Sequence, residues 1–259
     1  MTARTKARLA YGSRGPSPAA GIRSVATTFG KVRITGFSIK TAYGDMELDG
    51  PAELLVADLL TLDPNVRQYK GQPFTVDLID RRILRTGEAV AAARKKHRLL
   101  EGPKFYTPDF EVDCFEGSPF AVEAKLEGYT GNDDYARKLA RGKELIEASG
   151  YQFLHLVMPS NAWHPLRLNL GSLALAAMRK DLWPSAAQAE AVRQVCGNKG
   201  CSVRQLCATL DLSPDLVPAW LVSGVLAADL SRQPINFDLH VTSALGDLSH
   251  LAMLKEFAS

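Results

Sequence analysis

Between Asp109 and Leu126 apolar and charged residues alternate twice, once on each side of a break. Phe110, Val112 and Cys114 interleave with Asp109, Glu111 and Asp113; after Glu116-Gly117-Ser118-Pro119, Val122, Ala124 and Leu126 interleave with Glu123 and Lys125. Successive side chains of a strand point to opposite faces, so each segment reads as a strand with one greasy and one charged side. As antiparallel partners they must put their apolar sets on a common face, because a one-residue slip turns every side chain over. That requirement pairs Val112 with Val122, Phe110 with Ala124 and Asp109 with Lys125, or gives a register two residues away. The loop then has an odd number of residues, most simply Glu116-Gly117-Ser118, with Gly117 in the left-handed position of a three-residue hairpin. Asp109 comes to lie beside Glu123.

Two carboxylates on one sheet face repel unless something positive lies between them. Mg2+ suits that place, since it binds through one or two carboxylates together with water and substrate phosphate oxygens. Lys125 would sit near the attacking water or the phosphate, where its charge lowers the cost of a developing oxyanion. Pro108-Asp109, a turn and then Glu123-Ala124-Lys125 is therefore the pattern of a metal-dependent nuclease. The competing reading is an amphipathic surface hairpin whose charges are merely solvated. The preceding proline, the hairpin break and the alternation together favour the first.

The 259 residues hold one large or two small domains with ample core material, and a net charge of +3 says little as a total. Its distribution says more: no acidic residue precedes Asp45, whereas Arg4, Lys6, Arg8, Arg14, Arg23, Lys31, Arg33 and Lys40 do. Residues 1–30 thus read as a basic flexible arm, suited to a polyanion or simply to solubility. No apolar run reaches membrane-spanning length and the basic start lacks the apolar stretch of a secretory signal, so a cytoplasmic protein with no membrane partner is expected. Cys114, Cys196, Cys201 and Cys207 form no C-x-x-C pair and read as reduced, mostly buried thiols.

Along the chain, residues 32–40 suggest a short strand. Asp49 or Gly50 caps a helix that begins at Pro51 and ends at Pro64, with Leu55, Leu59 and Leu62 facing a core. Glu53, in its first turn, either complements the helix dipole or reaches the hairpin as a third carboxylate. Strands are predicted over Val66–Tyr69 and Phe74–Ile79, and a helix over Thr86–Leu100. Its run Arg94, Lys95, Lys96, His97 and Arg98 is equally a solvated face or a phosphate-contacting element. A helix from Asp133 to Ser149 and a strand from Tyr151 to Met158 follow, an α/β pattern. His155 and His164 carry no ligand spacing. Helices over Ala186–Val195, Val203–Leu210 and Pro214–Ser223, then strands over Val225–Leu230 and Asn236–Thr242, outline a winged helix. The stretch Leu210–Ser223 has no basic residue, which favours a protein-binding or structural role for it.

Taken together, Glu53-Leu54-Leu55 leading to Leu62-Asp63-Pro64-Asn65-Val66, Gln72-Pro73, Tyr106-Thr107-Pro108-Asp109-Phe110, Glu123-Ala124-Lys125, Gly150-Tyr151-Gln152-Phe153 and Arg167-Leu168-Asn169-Leu170 resemble the TnsA endonuclease subunit of Tn7-type transposons over residues 45–175. The resemblance implies an α/β, restriction-endonuclease-like mixed sheet flanked by helices over residues 31–180, followed by a winged-helix domain over 181–259. It implies a Mg2+-dependent endonuclease, Mn2+ able to substitute, that nicks the 5′ ends of the transposon. A TnsB-like DDE transposase would cut and join the 3′ ends, and a TnsC-like AAA+ regulator would meet the carboxy-terminal part. The implied catalytic set is Glu53, Asp109, Glu123 and Lys125. Some members carry Gln where Glu123 stands, so the set is the fuller one here.

Two departures stand out. Leu48-Asp49-Gly50 replaces the usual Phe-Glu-Ser before Glu53, leaving Glu47 as a rival carboxylate, and the segment 81–102 is longer than in many relatives. The metal ligands expected are Glu53, Asp109, Glu123 and the carbonyl of Ala124, and the expected DNA contacts are Arg94, Lys95, Lys96 and Arg98. The alternatives are a standalone restriction or repair nuclease with the same core, and a DNA-binding adaptor built on an inactive nuclease fold.

Overall fold

A computed structural model describes residues 34–41, 44–197 and 199–259. The basic arm expected over residues 1–30 lies outside them. A hairpin of β1 (Ile34–Phe37) and β2 (Asp45–Leu48) leads into α1 (Pro51–Leu62). Gly50 is the residue that starts α1, without a side-chain cap, and Pro51 takes the first turn, where a missing N–H costs nothing. Lys40 donates from Nζ to the carbonyls of Leu60 and Asp63, satisfying the far end of α1.

Then come β3 (Val66–Gly71), β4 (Thr75–Asp77), β5 (Arg82–Leu84), α2 (Gly87–Lys96), β6 (Phe105–Tyr106), β7 (Phe110–Cys114), β8 (Phe120–Leu126), α3 (Asp133–Ala148), β9 (Gln152–Met158) and α4 (Pro165–Met178). The main sheet has the order β3-β7-β8-β9. Its first two pairings are antiparallel and β8/β9 is parallel, so the sheet is mixed, with α3 as the crossover that a parallel pair requires.

The hairpin takes the register two residues away from Phe110–Ala124: Phe110 pairs with Val122 and Val112 with Phe120. Both registers keep the apolar sets together, so alternation could not separate them; the turn decides. Residues 115–119 lie outside the strands, five rather than three, with Gly117 at φ 89°. Pro119, which has no N–H to donate, lies next to the start of β8.

The sheet is covered on both faces. Val112, Val122 and Ala124 face α1 and α4 in the main core, whereas Ala121 and Phe153 face a second core with Phe74, Val76, Leu78, Tyr106 and Ile146. The charged side of β8 is therefore roofed by α3 and by the small sheet β5-β4-β6.

Beyond α4 lie α5 (Ala186–Cys196), β10 (Cys201–Ser202), α6 (Val203–Leu210), α7 (Val217–Val222), β11 (Leu226–Ala227) and β12 (His240–Ser243), with strand order β10-β12-β11. The helix expected over Pro214–Ser223 is divided: a 3-10 turn spans Pro214–Leu216 and α7 follows. Pro218 causes this, since it has no N–H for the carbonyl of Pro214 and its ring collides with it. The strand expected to run to Leu230 stops at Ala227. The Asp229 carboxylate accepts from the Ser231 hydroxyl and the Arg232 N–H, at 3.1 and 3.3 Å, and turns the chain away. The main core continues through α4 into Val192, Leu206, Trp220 and Leu221, so sheet and carboxy-terminal helices share one apolar interior. No helix among the described residues is long and apolar enough to cross a membrane.

Candidate active site

Asp109 precedes β7 and Glu123 lies in the middle of β8, and the observed register sets them opposite one another. The Asp109 N–H donates to Val122 O and the Ala124 N–H donates to Asp109 Oδ2, both at 2.8 Å, so the carboxylate is held against the β8 backbone. Glu123 is buried: Tyr106 Oη donates to Oε2 at 2.7 Å, Tyr135 Oη to Oε1 at 3.0 Å, and Lys125 Nζ lies 2.6 Å from Oε1. Lys125 Nζ also donates to Ala124 O at 2.9 Å and lies 3.8 Å from Asp109 Oδ2. One cationic nitrogen is thus ringed by Glu123, the Ala124 carbonyl and Asp109. The rings of Tyr129 and Tyr135 flank it as well, each 5.5 Å from centroid to Nζ.

Glu53 is buried in the first turn of α1 and accepts from the Asp49 N–H at 2.9 Å. Burial pushes its pKa up to about 7, with the charges of Asp49 and Glu123 adding to the shift; the Asp49 N–H and Lys125 oppose it. Burial, then the charges of Glu123 and Glu53, drives Asp109 well above the usual carboxylate range. Burial works against the Lys125 ammonium, but Asp109 and Glu123 outweigh it and raise its pKa. Burial and Glu123 keep the Tyr106 and Tyr135 phenols protonated as donors. Three carboxylates and one ammonium therefore share a field in which negative charge is in excess.

The three carboxylates do not close to direct ligand spacing. Among the described residues, the group of three whose ligand atoms lie within 4.8 Å of one another is Asp77, Asp80 and His97. That buried cluster, able to hold a metal ion, was not expected from the sequence, and neither were the roles of Tyr106 and Tyr135. Tyr106 stands two residues before the Pro108-Asp109 pair, a spacing that marks it as a neighbour of the site. Tyr135 is brought back by the turn at Gly128–Gly131, and nothing local signals it. His155 pairs with Glu123 across β8/β9, and its Nε2 is buried with no hydrogen-bond partner among the described residues. Burial lowers its pKa.

Of the expected DNA contacts, Arg94, Lys95 and Lys96 form the last turn of α2 and Arg98 follows its end, all four exposed. Lys96 is engaged by Asp80 at 2.7 Å, while the side chains of Arg94, Lys95 and Arg98 make no ion pair among the described residues. Cationic side chains also complement the dipole at a helix end, so their position suits either reading. Cys196, Cys201 and Cys207 are buried and free. No protein-family model matches the chain, and no curated protein is significantly similar to it.

Proposed function

We propose that the chain is a Mg2+-dependent DNA endonuclease, Mn2+ serving in its place, built on a restriction-endonuclease-like core with a winged-helix carboxy-terminal domain. The observation that carries this reading is the convergence of Glu123 Oε1, Ala124 O and Asp109 Oδ2 on a single cation, the Lys125 ammonium, at 2.6, 2.9 and 3.8 Å. These are oxygen donors of the kind a hard divalent ion takes, and the ammonium marks where positive charge is drawn. When bound, the ion supplies a Lewis acid for a phosphoryl oxygen and lowers the pKa of a water. Asp109, Glu123 and the Ala124 carbonyl would hold it, with Glu53 completing or orienting the set. Lys125, released from Glu123, would stabilise charge on the scissile phosphate. Tyr106 and Tyr135 fix the direction of Glu123. Arg94, Lys95 and Arg98 offer phosphate contacts on DNA.

The assignment to the 5′-nicking subunit of a Tn7-like transposase rests on the resemblance of the sequence motifs. A TnsB-like DDE transposase and a TnsC-like AAA+ regulator would be its partners, and transposon-end DNA its substrate. The test is nicking of DNA carrying the element's ends, with Mg2+ and the companion transposase supplied. Asp109→Ala and Glu123→Ala are each expected to lower cleavage by ~100-fold or more, as removal of a key electrostatic group does, with DNA binding retained. Cleavage persisting in either variant would refute the assignment. Efficient cleavage without any companion would favour the standalone nuclease.

A further inference from the structure

The long segment between β4 and β6 has little apolar material to hold it down. Past Leu78, which belongs to the second core, its buried cluster is Leu84, Val90 and Ala93, and α2 contributes only the last two. At its far end, however, His97 is 2% exposed and points Nε2 at Asp77 Oδ2, 3.0 Å away, and at Asp80 Oδ2, 3.6 Å away. Asp77 is fully buried at the end of β4, and its other oxygen, Oδ1, accepts the N–H groups of Ile79 and Asp80 at 3.1 and 3.0 Å. Oδ2 is thereby aimed at the imidazole, an orienting arrangement of the kind that surrounds metal ligands. Ligands about 2.0–2.1 Å from a tetrahedral Zn2+ lie roughly 3.3 Å from one another, and the two nitrogen–oxygen separations bracket that value.

We infer that Asp77, Asp80 and His97 form a site for a first-row transition ion of the Zn2+ class, one that clamps the end of α2 to the β4–β5 turn. An imidazole nitrogen with two carboxylate oxygens favours such an ion over Mg2+, which takes oxygen donors in octahedral array. Such an ion would take its fourth ligand from water. Asp80 now receives Lys96 at 2.7 Å and Arg82 at 3.5 Å, through side chains that are 61% and 56% exposed. Exposed ion pairs of this sort are worth little and give way to a divalent ion. Binding therefore releases Lys96 to the basic run at the end of α2. The site uses none of Glu53, Asp109 or Glu123, and it stands independently of the proposed cleavage reaction.

The experiment is a calorimetric titration of the full chain carrying Asp109→Ala, so that the carboxylate centre does not compete, with Zn2+ at neutral pH and with Co2+ as an absorbing probe. One Zn2+ per chain is expected, undisturbed by millimolar Mg2+, and bound Co2+ should lack thiolate charge-transfer bands. Asp80→Ala should weaken binding by about tenfold or more. Lys96→Ala should tighten it several-fold by removing the competing ammonium, a gain that misfolding cannot imitate. The proposal is overturned if Asp80→Ala folds and binds Zn2+ as tightly as its parent, if Lys96→Ala binds no tighter, or if the Co2+ spectrum reports cysteine ligands. In any of these cases the cluster is a buried Asp–His hydrogen-bonded pair only.

Discussion

Tyr106 reaches Glu123 because a glycine faces it. A Cβ added at Gly142, in the middle of α3, would lie 2.3 Å from Tyr106 Cδ1 and 2.6 Å from Cγ. Alanine ordinarily strengthens a helix relative to glycine by about 1 kcal/mol, but forcing a methyl group into a filled core costs about 1–3 kcal/mol. Gly142→Ala is therefore expected to lower the urea midpoint and to move the Tyr106 hydroxyl off Glu123. Gly171→Ala, exposed on α4 with nothing within 4 Å of the added carbon, should raise the midpoint instead. A midpoint raised by both substitutions alike would show that Tyr106 is not seated against α3. A glycine inside an otherwise good helix hints at a close neighbour. Which neighbour it is lies outside any local pattern.

Helices with strong caps and long strands were readable from periodicity and capping residues; of the two- and three-residue strands only β4 and β11 fall within expected ones, over Phe74–Ile79 and Val225–Leu230. Val203–Leu210 has the bounds expected of it, and α3 differs by one residue at its end, because Ser202 and Asn132 cap their helices as their side chains suggest. β5, β6 and β10 are too short for alternation to register, and they exist because partners elsewhere in the chain complete their hydrogen bonds. The helix α4 went unrecognised because its exposed face, opposite the side packed on α1 and α7, also carries apolar residues, Leu168, Leu175 and Met178, so its sequence has no polar stripe. In α2, Thr86 Oγ1 accepts from the Ala89 N–H at 3.2 Å. Thr86→Ala should cost about 1 kcal/mol. Since α2 rests on a small core, hydrogen exchange over residues 87–97 should quicken by about 5-fold while β8 stays protected. Equal acceleration in both would mean that α2 opens only with the whole protein.

At the scale of the whole molecule, excess buried negative charge ties stability to pH. Glu53 and Asp58 both have folded pKa values raised by burial to about 7, from ordinary values of 4.5 and 3.8, and Asp109 is also raised well above its ordinary range. Groups raised in the folded state stabilise it fully below their unfolded pKa and lose that contribution as pH rises through the folded value. The metal-free protein should thus melt at higher temperature near about pH 5 than near pH 8.5, by a few kcal/mol of stability in all. Mg2+ should narrow the gap at the alkaline end by offsetting the same charges, and a melting temperature independent of both would contradict the shared field of Glu53 and Asp109. The sequence by itself determined the amphipathic hairpin, the shared face of Glu123 and Lys125 and the juxtaposition of Asp109, since alternation and a short turn are local constraints. Only the tertiary structure decided the register between two equivalent pairings, the arrival of Tyr106 and Tyr135 at Glu123, and the meeting of Asp77, Asp80 and His97. The register follows from the five-residue turn, and the other two depend on which surfaces α3 and the small sheet bury against each other, a choice made by packing over long separations in the chain.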